Sequence, residues 1–143
     1  MKINSKVRFF FDGVTVPLKD RTALKHQIER LFVSEKRKLK SINYIFCTDQ
    51  KLLEININYL KHNYYTDIIT FNLSENQAIW GEIYISWDRI EENAKIFGVS
   101  RISELYRVIF HGALHLCGYK DKSSKEKSKM RKKEQYYLTE YLQ

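Results

Sequence analysis

The chain has 143 residues, of which 43% are hydrophobic and 14% aromatic, and it carries a formal net charge of +8. A chain of this length buries about two-thirds of its unfolded surface on folding, so we expect one domain that spans residues 1–143. The composition excludes an intrinsically disordered protein, and no window approaches the about 18 apolar residues of a membrane-spanning helix. We therefore expect no membrane partner.

The two cysteines, Cys47 and Cys117, lie in apolar runs and form no Cys-x-x-Cys motif. Such cysteines are typical of reduced thiols in a protein core, which favours a cytoplasmic location. Residues 1–6 agree with this location because they lack the apolar run of a signal peptide.

Two strands and two helices are predicted to alternate in the first half of the chain. β-Favouring runs predict strands over 6–11 and 42–47, and apolar residues at helical spacing predict helices over 20–38 and 49–60. His26 falls among the polar positions of the first helix, where we expect it to be exposed. Tyr64 and Tyr65 follow the second helix, and they either stack on single-stranded bases or pack in the ordinary way.

The second half of the chain predicts a β-hairpin followed by three helices. The predicted strands span 67–73 and 79–86, and the predicted helices span 86–97, 101–117 and 123–141. The short connection between the strands favours the hairpin, and Ser123 with Glu126 matches a capping box at the start of the last helix. This order predicts an α+β fold in which helices pack around a four-stranded mixed sheet.

The helix predicted over 101–117 carries two histidines that can share one metal ion. His111 and His115 are four residues apart, so their imidazoles lie on the same helix face. Gly118 can take a left-handed conformation that ends the helix, and the following turn can present Asp121. Three ligands and a water make the open tetrahedral site expected of catalytic zinc. The alternative is a buried helix whose histidines make core hydrogen bonds, with Asp121 capping the next helix.

The residue after the first histidine limits the chemistry of such a site. Zinc peptidases with a His-Glu-x-x-His helix use the Glu as general base, but this chain has Gly112 at that position. The ligand helix is therefore similar to theirs but lacks the base that peptide hydrolysis needs. Phosphodiester cleavage depends more on charge stabilisation by a metal and nearby cations. We accordingly predict His111 and His115 to be both metal ligands and catalytic residues in phosphodiester cleavage.

A basic segment begins beside the predicted metal site. Residues 120–133 include eight basic and two acidic residues. A solvated helix face explains such a run without any ligand, but its position favours a polyanion, with RNA rather than DNA as the expected partner. The lysines of this segment that we predict to contact RNA are Lys120, Lys122, Lys129, Lys132 and Lys133.

The stretch His-Gly-Ala-Leu-His-Leu-Cys-Gly-Tyr-Lys-Asp resembles the signature of the bacterial YbeY family of metal-dependent endoribonucleases. That signature is His-Gly-x-Leu-His-Leu-x-Gly-Tyr followed by a third ligand. Residues 56–59 and 66–71 resemble the family's Asn-x-x-Tyr and Thr-Asp-Val-Leu-Ser-Phe segments, and residues 81–86 resemble its Gly-Asp-Ile-x-Ile-Ser strand.

The resemblance implies one Zn²⁺ per chain, held by His111, His115 and the third position, which is Asp121. It also implies single-strand-specific cleavage of ribosomal RNA precursors at the small-subunit 3′ end. A role in ribosome quality control and the small ribosomal subunit as a partner follow from the same resemblance.

The chain departs from the family pattern at two positions. The third ligand, usually His, falls on Asp121, which zinc accepts but which makes the metal a weaker Lewis acid. The family's Arg after the Tyr is Leu60 here, and the adjacent Lys61 is the candidate replacement, although it lacks the bidentate fork. Two other interpretations remain: a non-catalytic ribosome-assembly factor with a structural zinc, and a metalloprotease.

Overall fold

The computed structural model describes residues 5–142, within which four strands and five helices form. The strands are β1 (Val7–Phe11), β2 (Leu39–Cys47), β3 (Ile68–Asn72) and β4 (Ile79–Ser86). The helices are α1 (Arg21–Ser34), α2 (Asp49–Leu60), α3 (Trp87–Phe97), α4 (Arg101–Leu116) and α5 (Ser124–Leu142). The predicted α+β class is confirmed. The expectation about a signal peptide rests largely on residues 1–4, which lie outside the described residues.

The strands form one mixed sheet in the order β1-β2-β4-β3. β2 pairs in parallel with both β1 and β4, while β3 pairs antiparallel with β4 as the predicted hairpin requires. The mixed four-stranded sheet is therefore confirmed. Because β3 is an edge strand, the loop over 61–67 that leads into it lies at the side of the sheet rather than in the core.

α4 is the central helix and packs closely on the sheet. Ten of its sixteen residues are buried, and its Ile109 carbonyl accepts a 2.9 Å hydrogen bond from the Tyr44 hydroxyl of β2. A Cβ at Gly112 would lie only 2.7 Å from Cδ1 of Ile83 on β4, so glycine permits this approach. The close contact fixes the depth at which the two histidines of α4 stand above the sheet.

The first helix is shorter than the sequence predicts. α1 ends at Ser34 instead of residue 38, because Lys36 adopts a left-handed φ of 59° and the Arg37 amide donates to the Phe32 carbonyl at 2.9 Å. Helices that end this way usually have glycine at the left-handed position, so the sequence gives no signal of the end. Residues 39–41 are then free to extend β2, whose predicted start at residue 42 was too late.

Two smaller expectations, about His26 and about the two cysteines, are confirmed. His26 is exposed, and Cys47 and Cys117 are buried free thiols. Burial raises the pKa of both thiols to about 12, which keeps them protonated and unreactive. Among the helices of residues 5–142, none has the length and apolar character needed to cross a membrane.

Candidate active site and metal centre

His111 and His115 lie one turn apart on α4, with their ring centroids 6.0 Å apart. The His111 side chain is 15% exposed and lies deeper than His115, which is an exposed residue. Both rings line one cleft of about 770 Å³. The helix therefore presents the two imidazoles to a shared, solvent-accessible space.

A hydrogen bond at Nδ1 fixes the orientation of each imidazole. Nδ1 of His111 donates to the Glu134 carboxylate at 2.5 Å, and Nδ1 of His115 donates to the Tyr119 carbonyl at 2.7 Å. A carbonyl and an ionised carboxylate only accept, so Nδ1 carries the proton of each neutral ring and Nε2 keeps a lone pair. Partners of this kind typically support histidines that bind a metal through the other nitrogen.

The turn after α4 brings Asp121 back to His111. Gly118 has a left-handed φ of 107°, as predicted, and the Tyr119 amide donates to the Leu114 carbonyl at 3.1 Å where the helix ends. Oδ2 of Asp121 lies 3.3 Å from Nε2 of His111. With its proton on Nδ1, a neutral His111 has none at Nε2 for this carboxylate, so a second proton or a metal cation is needed to stabilise the contact.

Two imidazoles and one carboxylate form a donor set that zinc accepts. Within residues 5–142, however, no three His, Cys, Asp or Glu side chains already enclose a metal position. His111 and Asp121 are in contact with one another, so a metal held by both of them and His115 would have to enter between them. The donors therefore fit zinc by chemistry, and ligation requires a shift of their side chains.

A buried ion network supports the deeper histidine. Arg107 donates to both carboxylate oxygens of Glu104 at 2.7 and 2.8 Å and to Oε1 of Glu134 at 2.8 Å. The Glu104 and Glu134 side chains are each only 2% exposed. Burial alone would raise the pKa of Glu134, but the His111 hydrogen bond and the Arg107 charge outweigh it and lower that pKa. Glu134 is thus held as a carboxylate that accepts from His111.

The opposite wall of the cleft comes from α2 and the loop over 61–67. Buried Asn56 anchors this loop through two hydrogen bonds. Its side-chain amide donates to the Tyr64 backbone carbonyl at 2.8 Å, and its backbone carbonyl accepts from the His62 backbone amide at 3.1 Å. Leu60 lines the cleft beside them. Asp67 also lines it, and burial raises the pKa of its carboxyl although Arg107 and His111 oppose that effect.

The structure distributes the predicted RNA-binding lysines over several surfaces. Lys122 lines the cleft with the site residues, whereas Lys120 and Lys129 line a separate depression beside Tyr119. Lys133 forms a 3.2 Å ion pair with Glu35, and Lys132 lies in the middle of α5, on a further surface that it shares with Gln135 and Tyr136. Lys61 is exposed at the end of α2, between two residues that line the cleft.

Two cations that the sequence interpretation did not select line the cleft with Lys122. They are Lys127 and Arg131, which lie one turn apart on α5. α5 begins at the predicted capping box. The Glu126 backbone amide donates to Oγ of Ser123 at 3.1 Å, and the Ser123 backbone amide donates to Oε1 of Glu126 at 2.9 Å. The capping box therefore fixes where α5 begins.

Other site residues were also missed, although the sequence carries a signal for two of them. Arg107 precedes His111 by four residues and so shares its helix face. Glu134 stands four residues after buried Met130 and directly follows three basic residues, a spacing that indicates a buried carboxylate needing a partner. No comparable spacing places His62 or Asp67 near the histidines, because the loop that carries them meets α4 only in the folded chain.

Comparisons with known proteins agree with the geometry. The family model described as Endoribonuclease YbeY matches residues 15–142. Proteins with that name from Cytophaga hutchinsonii and Bacteroides thetaiotaomicron are 44% and 42% identical to this chain, covering 92% and 90% of it and 92% and 93% of their own lengths. A solution structure of a Thermotoga maritima protein superposes with a TM-score of 0.67 at 29% identity, covering 94% of this chain and 88% of the other.

Proposed function

The chain belongs to the YbeY family of endoribonucleases, and on that premise we propose that it is a zinc-dependent endoribonuclease acting on single-stranded RNA. The observation that carries the proposal is the His111–Asp121 contact beside His115, in a cleft lined by cations. Both imidazoles there keep an Nε2 lone pair for a metal. His111, His115 and Asp121 would hold the zinc.

Each part of the cleft has a separate task in this proposal. Bound zinc would supply a Lewis acid and lower the pKa of its water to about 7. Glu134 and the Tyr119 carbonyl orient the two imidazoles, while Lys122, Lys127 and Arg131 attract the RNA phosphates. The cations also stabilise negative charge that develops on the cleaved phosphate.

The proposed substrate is a ribosomal RNA precursor, cleaved at the small-subunit 3′ end in the cytoplasm, with a role in ribosome quality control. Support comes from the family membership and from the basic surface around the cleft. The small ribosomal subunit is the proposed macromolecular partner, and DNA is not expected as a substrate. Exposed Tyr64 lines the cleft and offers a ring on which a single-stranded base can stack.

One observation favours the second interpretation, a ribosome-assembly factor with a structural zinc. Leu60 lines the cleft at the position of the family's Arg, so this wall has no guanidinium for a phosphate. Such a factor would lose fold stability on zinc removal and would still bind RNA without cutting it.

The structure gives no comparable support to a metalloprotease. Gly112 faces the sheet, where even a Cβ would lie 2.7 Å from Ile83 and 3.1 Å from Ile68. A general base placed at this position would therefore point into the core and away from the cleft.

The test is cleavage of single-stranded RNA by protein that is free of contaminating nucleases. We expect cleavage to stop on chelation, to return with added zinc, and to fall by at least about 100-fold in His115→Ala, because the metal loses a ligand. His26→Ala is the matched control, since it removes an exposed histidine of α1 that does not line the cleft.

Wild-type protein that holds a full equivalent of zinc and leaves RNA intact would refute catalysis. If the same preparation bound RNA tightly and unfolded on chelation, the assembly-factor interpretation would replace the enzyme.

A further inference from the structure

The cleft contains a third histidine whose surroundings differ from those of the two ligand candidates. His62 lies on the loop opposite α4 and lines the same cleft as His111 and His115. Its Nδ1 meets the Tyr64 hydroxyl at 3.0 Å, and its ring stacks on the Tyr64 ring with centroids 5.2 Å apart. The imidazole is therefore held at two points although the residue is exposed.

The chemical nature of the Nδ1 partner separates the three histidines. His111 and His115 meet acceptors, which keep the proton on Nδ1 and suit Nε2 to a metal. A tyrosine hydroxyl can either donate or accept, so Tyr64 can hold the His62 ring both with and without a proton on Nδ1. That partner suits a residue that gains and loses a proton.

The backbone around His62 is also fixed. The His62 amide donates to the Asn56 carbonyl, and the Asn56 side chain donates to the Tyr64 carbonyl, so one buried residue anchors both members of the ring pair. Lys61 has a left-handed φ of 58°, which turns the chain from α2 into this loop. His62 is consequently held in place at the cleft, as a group that acts on a substrate must be.

The other ionisable groups on the α4–α5 wall are less suited to giving up a proton. Glu134 and Arg107 are tied to each other and to neighbouring groups by short hydrogen bonds. Lys122, Lys127 and Arg131 are exposed cations suited to binding phosphate. Asp67 remains as the rival proton donor of the cleft.

We propose that His62 is a catalytic residue, the general acid that protonates the leaving oxygen when the cleft hydrolyses an RNA phosphodiester. The inference rests on the proposed endoribonuclease function and goes beyond it by naming the proton donor. A water adds hydroxide to phosphorus, the bond from phosphorus to the leaving ribose oxygen breaks, and this oxygen takes a proton from Nε2 of protonated His62. The proton released by the water restores His62, so RNA and one water yield one strand end with a hydroxyl and one with a phosphate.

The experiment compares two RNA substrates in His62→Gln protein. One is ordinary single-stranded RNA, and the other carries sulfur in place of the leaving oxygen. Which ribose oxygen leaves is determined first, from the strand ends that the wild-type protein produces. A thiolate leaves without protonation, so it needs no general acid. We expect His62→Gln to slow cleavage of ordinary RNA by about 100-fold or more, to bind it with nearly unchanged affinity, and to cut the sulfur substrate within a few-fold of wild type.

Two further variants act as controls. His26→Gln removes a histidine outside the cleft and should cut both substrates at the wild-type rate. Asp67→Asn tests the rival donor. Its cleavage rate, relative to that of the wild type, should not be restored when sulfur replaces the leaving oxygen.

Equal losses on both substrates, a loss explained by weaker RNA binding, or full activity of His62→Gln would each overturn the assignment while leaving the endoribonuclease intact. Selective recovery in Asp67→Asn instead of His62→Gln would transfer the role to Asp67. A wild-type protein that cuts neither substrate would refute the proposed function itself and this inference with it.

Discussion

The two sides of α5 carry similar basic residues but hold them in different ways. On the cleft side, Lys127 and Arg131 are exposed, and Nε of Arg131 lies 4.0 Å from Oε1 of buried Glu134. On the other side, Lys133 pairs with Glu35 at 3.2 Å, and its Nζ lies 5.8 Å from the centre of the Tyr119 ring. Lys127 and Arg131 are therefore accessible to a ligand, whereas Lys133 is engaged in an ion pair within the protein.

The side of α5 that carries Lys133 is still connected to the histidine cleft, through Glu35. Glu35 accepts hydrogen bonds from the hydroxyls of Tyr119 and Tyr137, and the Tyr119 carbonyl in turn accepts from His115. These bonds connect α1, the turn after α4 and α5 behind the predicted ligands. One charge run in the sequence therefore contains both exposed cations beside the cleft and residues that support the candidate ligands, and only the fold separates the two groups.

The largest expected effect on zinc affinity comes from replacing Glu134, the buried carboxylate on the cleft side of α5. Glu134→Gln keeps the shape of the side chain but removes the charge that accepts from His111 and pairs with Arg107. We expect zinc affinity to fall about 10- to 100-fold, because groups that hydrogen-bond to metal-binding histidines contribute this much. Titration with a competing zinc indicator measures the loss.

Glu140→Gln is the matched control on the same helix, since Glu140 lies near Arg30 and Gln27, away from the predicted ligands. If both variants bound zinc as tightly as wild type, Glu134 would be only a partner for Arg107.

A smaller effect should separate the two sides of α5 directly. Changing Lys122, Lys127 and Arg131 together to Gln removes three cations from the cleft. If each contacts a phosphate of single-stranded RNA, the slope of log affinity against log salt concentration should become shallower by about 2. Binding measured from low to physiological salt gives this slope.

The comparison variant changes Lys129, Lys132 and Lys133 to Gln, which removes the same charge from surfaces outside the cleft. We expect the cleft variant to flatten the slope more. The reverse result would mean that RNA contacts Lys129, Lys132 and Lys133, which the sequence predicted to bind it, more than the cations of the cleft.

Local spacing explains why the sequence predicted the histidine helix and the turn after it. His111, His115 and Gly118 lie within eight residues, and one helical turn and one left-handed glycine decide their geometry. The hairpin and the mixed sheet were also predictable, because short connections and strand patterns are local signals.

Contacts between distant segments explain what the sequence did not provide. Glu134 reaches His111 across 23 positions, and His62 joins the cleft only because Asn56 anchors its loop beside α4. The early end of α1 was missed for a different reason, since Lys36 takes a conformation that normally marks glycine. The sequence therefore indicated the candidate ligands, but it did not indicate the residue that supports His111 or the proposed proton donor His62.

Zinc content is the most direct test of the central claim that His111, His115 and Asp121 bind a catalytic metal. The protein should be purified without chelator or nickel, and its zinc measured by elemental analysis beside that of Asp121→Ala. We predict one zinc per chain in the wild type and a clear deficit in the variant, because the variant lacks the carboxylate that contacts His111 at 3.3 Å. Equal zinc in both proteins would remove Asp121 from the ligands, and a folded wild type that binds no zinc would contradict the metal centre altogether.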